Sequence, residues 1–352
     1  MVPELAPHFC IAFAVVGIAA FAIVRGRSRA LCIFMSVAAF TLTLGPLVLL
    51  PTTIGASDAA LHEATGRDAA PGETADPKPF DLVRELLGDG VTVGLPLQRD
   101  LPVVTSDGAR LGLDVYRSAM PGPRPAVILM YGGAWQFGRR SSMRPLAQSL
   151  AALGYTAIAV DYRHAPGYHF PTQRDDVRAA LAEIAKNAHA WGVDRQHVAT
   201  LGESAGGELA LLAAYEPGPL RIRATIAFYP PLDLEGAYER PPHPDPADVR
   251  AILTTFLGGP PPQAPAAYAA ASPRAQVRSG LPPTLLIGGG RDELCEIRFQ
   301  REMRSALLAA GDRVAALEFP WSNHGFAAVS NGLGGQLARY YTERFLAETI
   351  GR

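Results

Sequence analysis

Val198-Ala199-Thr200-Leu201-Gly202-Glu203-Ser204-Ala205-Gly206-Gly207-Glu208-Leu209-Ala210-Leu211-Leu212-Ala213-Ala214 decides the fold. Its first four residues are a run of strand length and its last seven suit a helix, so residues 202–207 read as the sharp turn between them. A serine on such a turn is pushed out of the sheet at a helix N-terminus. Its neighbours must be small, because the backbone there is strained and tightly packed. Gly202 and Gly206 meet that need. The bare pattern G-x-S-x-G arises often by chance, and its weight here comes from the strand before it and the helix after it.

Outward from this turn, apolar runs of strand length alternate with stretches of helical period, the pattern of a mostly parallel central sheet with helices on both faces. Strands are predicted at 126–130, 156–160, 198–201, 224–229, 284–287 and 315–319, preceded by two extended segments at 91–97 and 111–116. Val177, Leu181, Ile184 and Ala188 mark one helical stripe, and Met303, Leu307 and Ala310 another. The exception is 231–281, a long Pro- and Ala-rich excursion between two strands, which reads as a lid or a wall of a substrate pocket.

A serine hydroxyl is a weak nucleophile at neutral pH, so a base must take its proton and a carboxylate must orient that base. Gly288-Gly289-Gly290-Arg291-Asp292 places Asp292 just past a strand, and Trp321-Ser322-Asn323-His324-Gly325-Phe326 places His324 past the last one. The chain order Ser204, Asp292, His324 is that of an α/β-hydrolase site. Taken alone, Asp292 would read as a helix cap and His324 as an ordinary loop histidine; their joint placement after successive strands makes them the candidate acid and base. Glu293 and Asp233 are the rival acids. His164 and His169 read as pocket or surface residues, and Asp161 and Asp194 as turn or cap residues.

The site also needs donors where negative charge develops on the attacked carbonyl. Tyr131-Gly132-Gly133-Ala134-Trp135 follows the strand at 126–130, and its small residues let backbone N–H groups approach a substrate. Gly133 and Ala134 are the expected donors, with a third from Ala205 directly after the nucleophile. Tyr131 and Trp135 are expected at the substrate.

From about Pro102 onward the chain resembles the hormone-sensitive-lipase-like and related bacterial esterase branch of the α/β-hydrolases. The resemblance rests on the Gly-Gly-Ala-Trp loop, Asp161-Tyr162-Arg163 with Ala165-Pro166, Phe170-Pro171 with Asp175-Asp176-Val177, residues 202–207, Ala271-Ser272-Pro273 ahead of Leu281-Pro282-Pro283, Asp292, and His324-Gly325-Phe326. It implies hydrolysis of small carboxylic esters, often short in the acyl chain, without a cofactor. That family's oxyanion loop usually begins with a bracing His where this chain has Tyr131.

The first sixty residues are of another kind. Residues 5–24 and 30–50 lack Asp, Glu, Lys and Arg, and each is long enough to cross a bilayer. Arg25, Arg27 and Arg29 lie between them, so the positive-inside bias puts this short loop in the cytoplasm and returns the rest of the chain to the other side. The expected organisation is a membrane anchor over 1–57, a flexible linker over 58–79, and an extracytoplasmic catalytic domain over 80–352. Phe80, Val83 and Leu87 suggest a short amphipathic segment on the edge of that domain. A cleaved secretory signal ending near Ser57 is the alternative to an anchor.

Bulk composition narrows the partners. With 32 basic and 33 acidic residues the net charge is −1, which leaves no field to hold nucleic acid. Cys10, Cys32 and Cys295 are too few and too scattered for a disulfide framework or paired metal ligands. The expected partners are a small-molecule ester and a membrane; oligomeric state is open. An amidase or peptidase, a polysaccharide deacetylase and a non-catalytic membrane-bound binding protein of the same fold are the alternatives.

Overall fold

The computed structural model of the chain describes residues 2–67, 74, 78–87 and 96–351. After a 3-10 turn at Val2–Leu5, two helices form a hairpin: α1 (Ala6–Ile23) and α2 (Arg27–Thr65). A short α3 (Leu82–Leu87) follows. The remaining elements are β1 (Leu97–Val104), β2 (Arg110–Tyr116), β3 (Arg124–Met130), α4 (Arg144–Ala152), β4 (Thr156–Val160), α5 (Thr172–Trp191), β5 (Val193–Glu203), α6 (Ala205–Tyr215) and β6 (Ile222–Phe228). They continue with α7 (Leu234–Glu239), α8 (Val249–Leu257), α9 (Pro265–Ala271), β7 (Thr284–Gly289), α10 (Ile297–Ala309), β8 (Val314–Phe319) and α11 (Leu333–Thr349).

Among the described residues, eight strands make one sheet in the order β1-β2-β4-β3-β5-β6-β7-β8. Of their pairs, β1–β2 and β2–β4 are antiparallel and the others parallel. β4 and β7 are buried at every residue, as strands covered on both faces must be, and their sequences are near-continuously apolar for that reason. This is the α/β-hydrolase fold, with helices packed around a mostly parallel sheet and two apolar helices ahead of it. Strand pairing sets the site: Met130 lies beside Gly202, Glu203 beside Phe228, and Gly289 beside Phe319. The loops that leave β3, β5, β7 and β8 therefore start at one end of the sheet. The excursion between β6 and β7 folds into the short helices α7, α8 and α9.

Two expectations are corrected, and a third lies mostly outside the described residues. The strand expected at 91–97 falls largely on residues 91–95, outside those described; the strand that forms, β1, starts at Leu97 and is set by pairing with β2. The segment around Phe80 is helical, but Val83 is exposed and the buried face of α3 carries Glu85; Asp81 caps it by accepting from Val83 and Arg84 N–H.

The second correction concerns the linker expected over 58–79: α2 continues through Pro46 and Pro51 to Thr65, while most of 68–77 lies outside the described residues. Tertiary packing overrides composition here. Leu61 and Ala64 join the core, the Tyr341 hydroxyl donates to Ile54 O at 3.0 Å, and Arg344 Nη1 meets Asp58 Oδ1 at 2.5 Å. Ser57, the alternative cleavage point, is 2% exposed inside this helix. α1 and the first half of α2 are long and apolar enough to cross a membrane. At about 1.5 Å per residue α2 reaches roughly 58 Å, far beyond a hydrocarbon core of about 30 Å, so its second half is free to dock on the sheet domain.

Candidate active site

β5 delivers Ser204 onto the turn before α6, with φ 51° and ψ −122°. A non-glycine residue there is strained and must be held from several sides. Ser204 N–H donates to Phe228 O at 2.9 Å, and Ser204 O accepts from Gly207 and Glu208 N–H at 2.8 and 3.1 Å. A Cβ on Gly202 would lie 2.0 Å from Gly206 O, and one on Gly206 would lie 2.3 Å from the carbonyl oxygens of Met130 and Tyr131. The turn can close only with glycine at both places.

Loops after β7 and β8 bring two more side chains to this serine. His324 Nε2 lies 2.9 Å from Ser204 Oγ, and His324 Nδ1 lies 2.8 Å from Asp292 Oδ2. Asp292 Oδ1 accepts from Leu294 and Cys295 N–H at 2.8 and 2.7 Å. The capping role open to this aspartate is thus filled by one oxygen, which leaves the other aimed at the imidazole. The edge of the Tyr229 ring packs on His324, with centroids 4.8 Å apart.

The rival residues are engaged elsewhere. Asp233 caps α7 by accepting from Gly236 N–H at 2.9 Å and pairs with Arg274, and Glu293 faces solvent. Asp161 pairs with Arg140, Asp194 accepts from Gln196 N–H, and His169 Nδ1 lies 2.8 Å from Thr255 O.

In the loop after β3, Ala134 and Trp135 both take positive φ, 50° and 58°. Trp135 holds them there: its ring stacks on Phe256 with centroids 3.9 Å apart, and its Nε1–H donates to Glu208 Oε2 at 2.9 Å. Ala134, Trp135 and Ala205 line a cleft beside Ser204. Ala205 is the first residue of α6, so its N–H has no carbonyl one turn back to serve. Gly133 lies one residue back and is half-buried.

Tyr131 does not reach the substrate side, which corrects its expected role. It is 1% exposed beneath the loop, stacked on Tyr162 with centroids 4.4 Å apart. Its hydroxyl donates to Tyr162 O at 3.2 Å and lies 2.9 Å from His164 Nε2, while Tyr162 OH donates to Tyr131 O at 2.8 Å. A tyrosine is long enough to brace the loop against the strand-4 loop, so burial removed it from the cleft. Burial also raises its hydroxyl pKa.

The rest of the cleft is mostly apolar. Pro231, Leu232, Val249 and Leu253 come from the β6–β7 excursion together with Asp233, and Leu294 and Phe299 from the segment after Asp292. Composition marks this excursion as a lid or a pocket wall, but which of its residues face inward depends on how α7 and α8 dock.

Two acids near the centre escaped the sequence reading, although both lie within residues 198–214. Glu208 is an ionisable residue inside an apolar helix, fully buried, and that mismatch was its signal. Glu203 precedes the nucleophile; burial pushes its carboxyl up to about 7, opposed by the Tyr229 hydroxyl and by attraction to His324. Among the described residues, no group of three or more His, Cys, Asp or Glu is placed to hold a metal ion.

A family model described as BD-FAE matches residues 113–307. The esterase LipC of Mycobacterium tuberculosis is 32% identical over 250 residues, which cover 66% of this chain and 60% of that protein. A bacterial heroin esterase superposes with a TM-score of 0.65 at 28% identity, covering 76% of this chain and 89% of that one. Propionate-bound esterase 2 of Thermogutta terrifontis gives a TM-score of 0.55 at 27% identity, covering 66% and 86%. The chain spans about three fifths of the length of the curated relatives it matches.

Proposed function

Because this chain belongs to the BD-FAE family, among the hormone-sensitive-lipase-like α/β-hydrolase esterases, we propose that it hydrolyses carboxylic esters of small molecules from a membrane-anchored position. The observation that carries the reading is the unbroken chain of contacts from Ser204 Oγ through His324 to Asp292.

In this mechanism Ser204 Oγ attacks the ester carbonyl carbon as His324 Nε2 takes the hydroxyl proton. Asp292 keeps the proton on Nδ1 and stabilises the imidazolium that forms. Negative charge on the carbonyl oxygen is met by the N–H groups of Ala134 and Ala205, with Gly133 as the third expected donor. Loss of one such donor costs about 2.7 to 4 kcal/mol of transition-state stabilisation. The tetrahedral intermediate expels the alkoxide, which receives the proton from His324, and leaves an acyl group on Ser204. Water then attacks the acyl-enzyme with His324 as base, releasing the acid and the free serine.

The anchor is the α1–α2 hairpin. Arg25, Arg27 and Arg29 cluster in the turn between the two helices, the charge pattern expected of a cytoplasmic loop, and this supports a catalytic domain on the opposite side. Protease treatment of sealed right-side-out vesicles tests this: digestion of the domain supports it, and full protection opposes it. For the activity, a panel of short-chain p-nitrophenyl esters is assayed with detergent-solubilised wild type and Ser204→Ala. Turnover by wild type alone supports the reading, and equal turnover by both sinks it.

A further inference from the structure

Glu4 lies in the turn ahead of α1, yet it is buried against the far end of the chain. It is 1% exposed, and its carboxylate accepts from Ser322 Oγ–H and from Gly334 N–H, both at 2.6 Å. Gly334 is in the first turn of α11, where orphan amides favour an anion. That helix begins Gly332-Leu333-Gly334-Gly335, a poor opening by propensity, with glycine costing about 1 kcal/mol relative to alanine in a helix interior. The glycines make room: a Cβ on Gly334 would lie 2.6 Å from Glu4 Oε2, and one on Gly332 would lie 2.7 Å from Glu4 O.

Ser322, the other partner, is fully buried and stands two residues before His324. Its N–H donates to Phe319 O and its carbonyl accepts from Arg291 N–H, both at 3.0 Å. Arg291 adjoins Asp292, so one serine touches both loops that carry the candidate base and acid. Those loops are tightly seated, since a Cβ on Gly289 would lie 2.3 Å from Ser322 O.

We propose that Glu4 is a positioning residue for His324 and Asp292, acting through Ser322, so that the segment before the membrane hairpin is part of the scaffold of the active site. The hairpin makes this possible by returning α2 to the domain from which α1 departs. The inference rests on the triad reading above and adds a dependence of turnover on the anchor.

The test uses the full chain in detergent with Glu4→Ala, Glu4→Gln, Ser322→Ala and the Glu4→Ala/Ser322→Ala pair. A small misplacement of a catalytic group can cost up to about a hundredfold, so kcat per titrated active site should fall about tenfold to a hundredfold in Glu4→Ala with KM little changed. Ser322→Ala should do the same, and the double variant should be no slower than the slower single, because both cut one link. Glu4→Gln, which keeps one acceptor oxygen, should recover part of the rate and carries the comparison if Glu4→Ala fails to fold. Wild-type kcat in Glu4→Gln together with Ser322→Ala, or multiplying losses in the double variant, would overturn the proposal. An inactive wild type would instead defeat the esterase reading on which it stands.

Discussion

Replacing Asp292 by Asn isolates what its carboxylate does for His324. Oδ1 is pinned by Leu294 and Cys295 N–H at 2.8 and 2.7 Å, while Oδ2 faces His324 Nδ1 at 2.8 Å. An asparagine must keep its oxygen toward those two amides, since turning its NH₂ there sets donor against donor and strands buried groups at about 1 to 3 kcal/mol each. Its NH₂ then meets His324 Nδ1, which becomes the acceptor, and the ring proton moves to Nε2. That nitrogen lies 2.9 Å from Ser204 Oγ and can no longer take its proton. The expected loss is about 10⁴-fold in kcat, the size found where a triad aspartate becomes asparagine and the tautomer is wrong. At about 1.36 kcal/mol per factor of ten this is about 5.4 kcal/mol. The assay is steady-state hydrolysis of a short-chain p-nitrophenyl ester, with melting temperature as a control that the isosteric change leaves the fold intact. A Asp292→Asn enzyme within tenfold of wild type would refute the tautomer argument.

Leu253 on α8 lines the cleft, and Leu253→Ala removes three carbons; at about 0.8 kcal/mol per methylene, the preference for an ester three carbons longer should rise by up to about 2.4 kcal/mol, or about 60-fold in the ratio of kcat/KM. Unchanged chain-length selectivity would place the reacting chain elsewhere. Glu203 has its carboxyl raised to about 7, so it is neutral below that pH and anionic above it, where it favours the imidazolium formed during attack. Glu203→Gln should therefore lower kcat/KM severalfold above pH 7 and little below pH 6, as read from a pH–rate profile; a uniform loss at every pH would contradict this. Tyr131→Phe keeps the stack on Tyr162 but loses the hydroxyl, so stability by urea titration should fall by about 1 kcal/mol with less than about tenfold change in kcat. A full loss of turnover would make Tyr131 more than a brace.

The strand-turn-helix around Ser204 was legible because its requirements are local: an apolar run, small residues at Gly202 and Gly206, and a helix beginning at once. Asp292 and His324 were legible because a parallel sheet puts every strand's carboxyl end on one side, so order along the chain stands in for position in space. What escaped depends on contacts between distant segments. Residues 58–65 look like the start of a linker until Leu61 and Ala64 join the core and Asp58 meets Arg344 of α11. Tyr131 looks like a substrate contact until its ring is seen beneath the loop, and Glu4 looks like a solvated residue before a hydrophobic run. No local pattern encodes a carboxylate whose partners lie at Ser322 and Gly334.

Ser204 as nucleophile and His324 as its base are tested by reacting the purified full chain with a fluorophosphonate and locating the adduct by peptide mass spectrometry. The expected result is a single adduct on Ser204 that forms in parallel with loss of ester turnover and forms far more slowly in His324→Ala. An unmodified Ser204 in protein that has lost its turnover, or an equal labelling rate without His324, would contradict it.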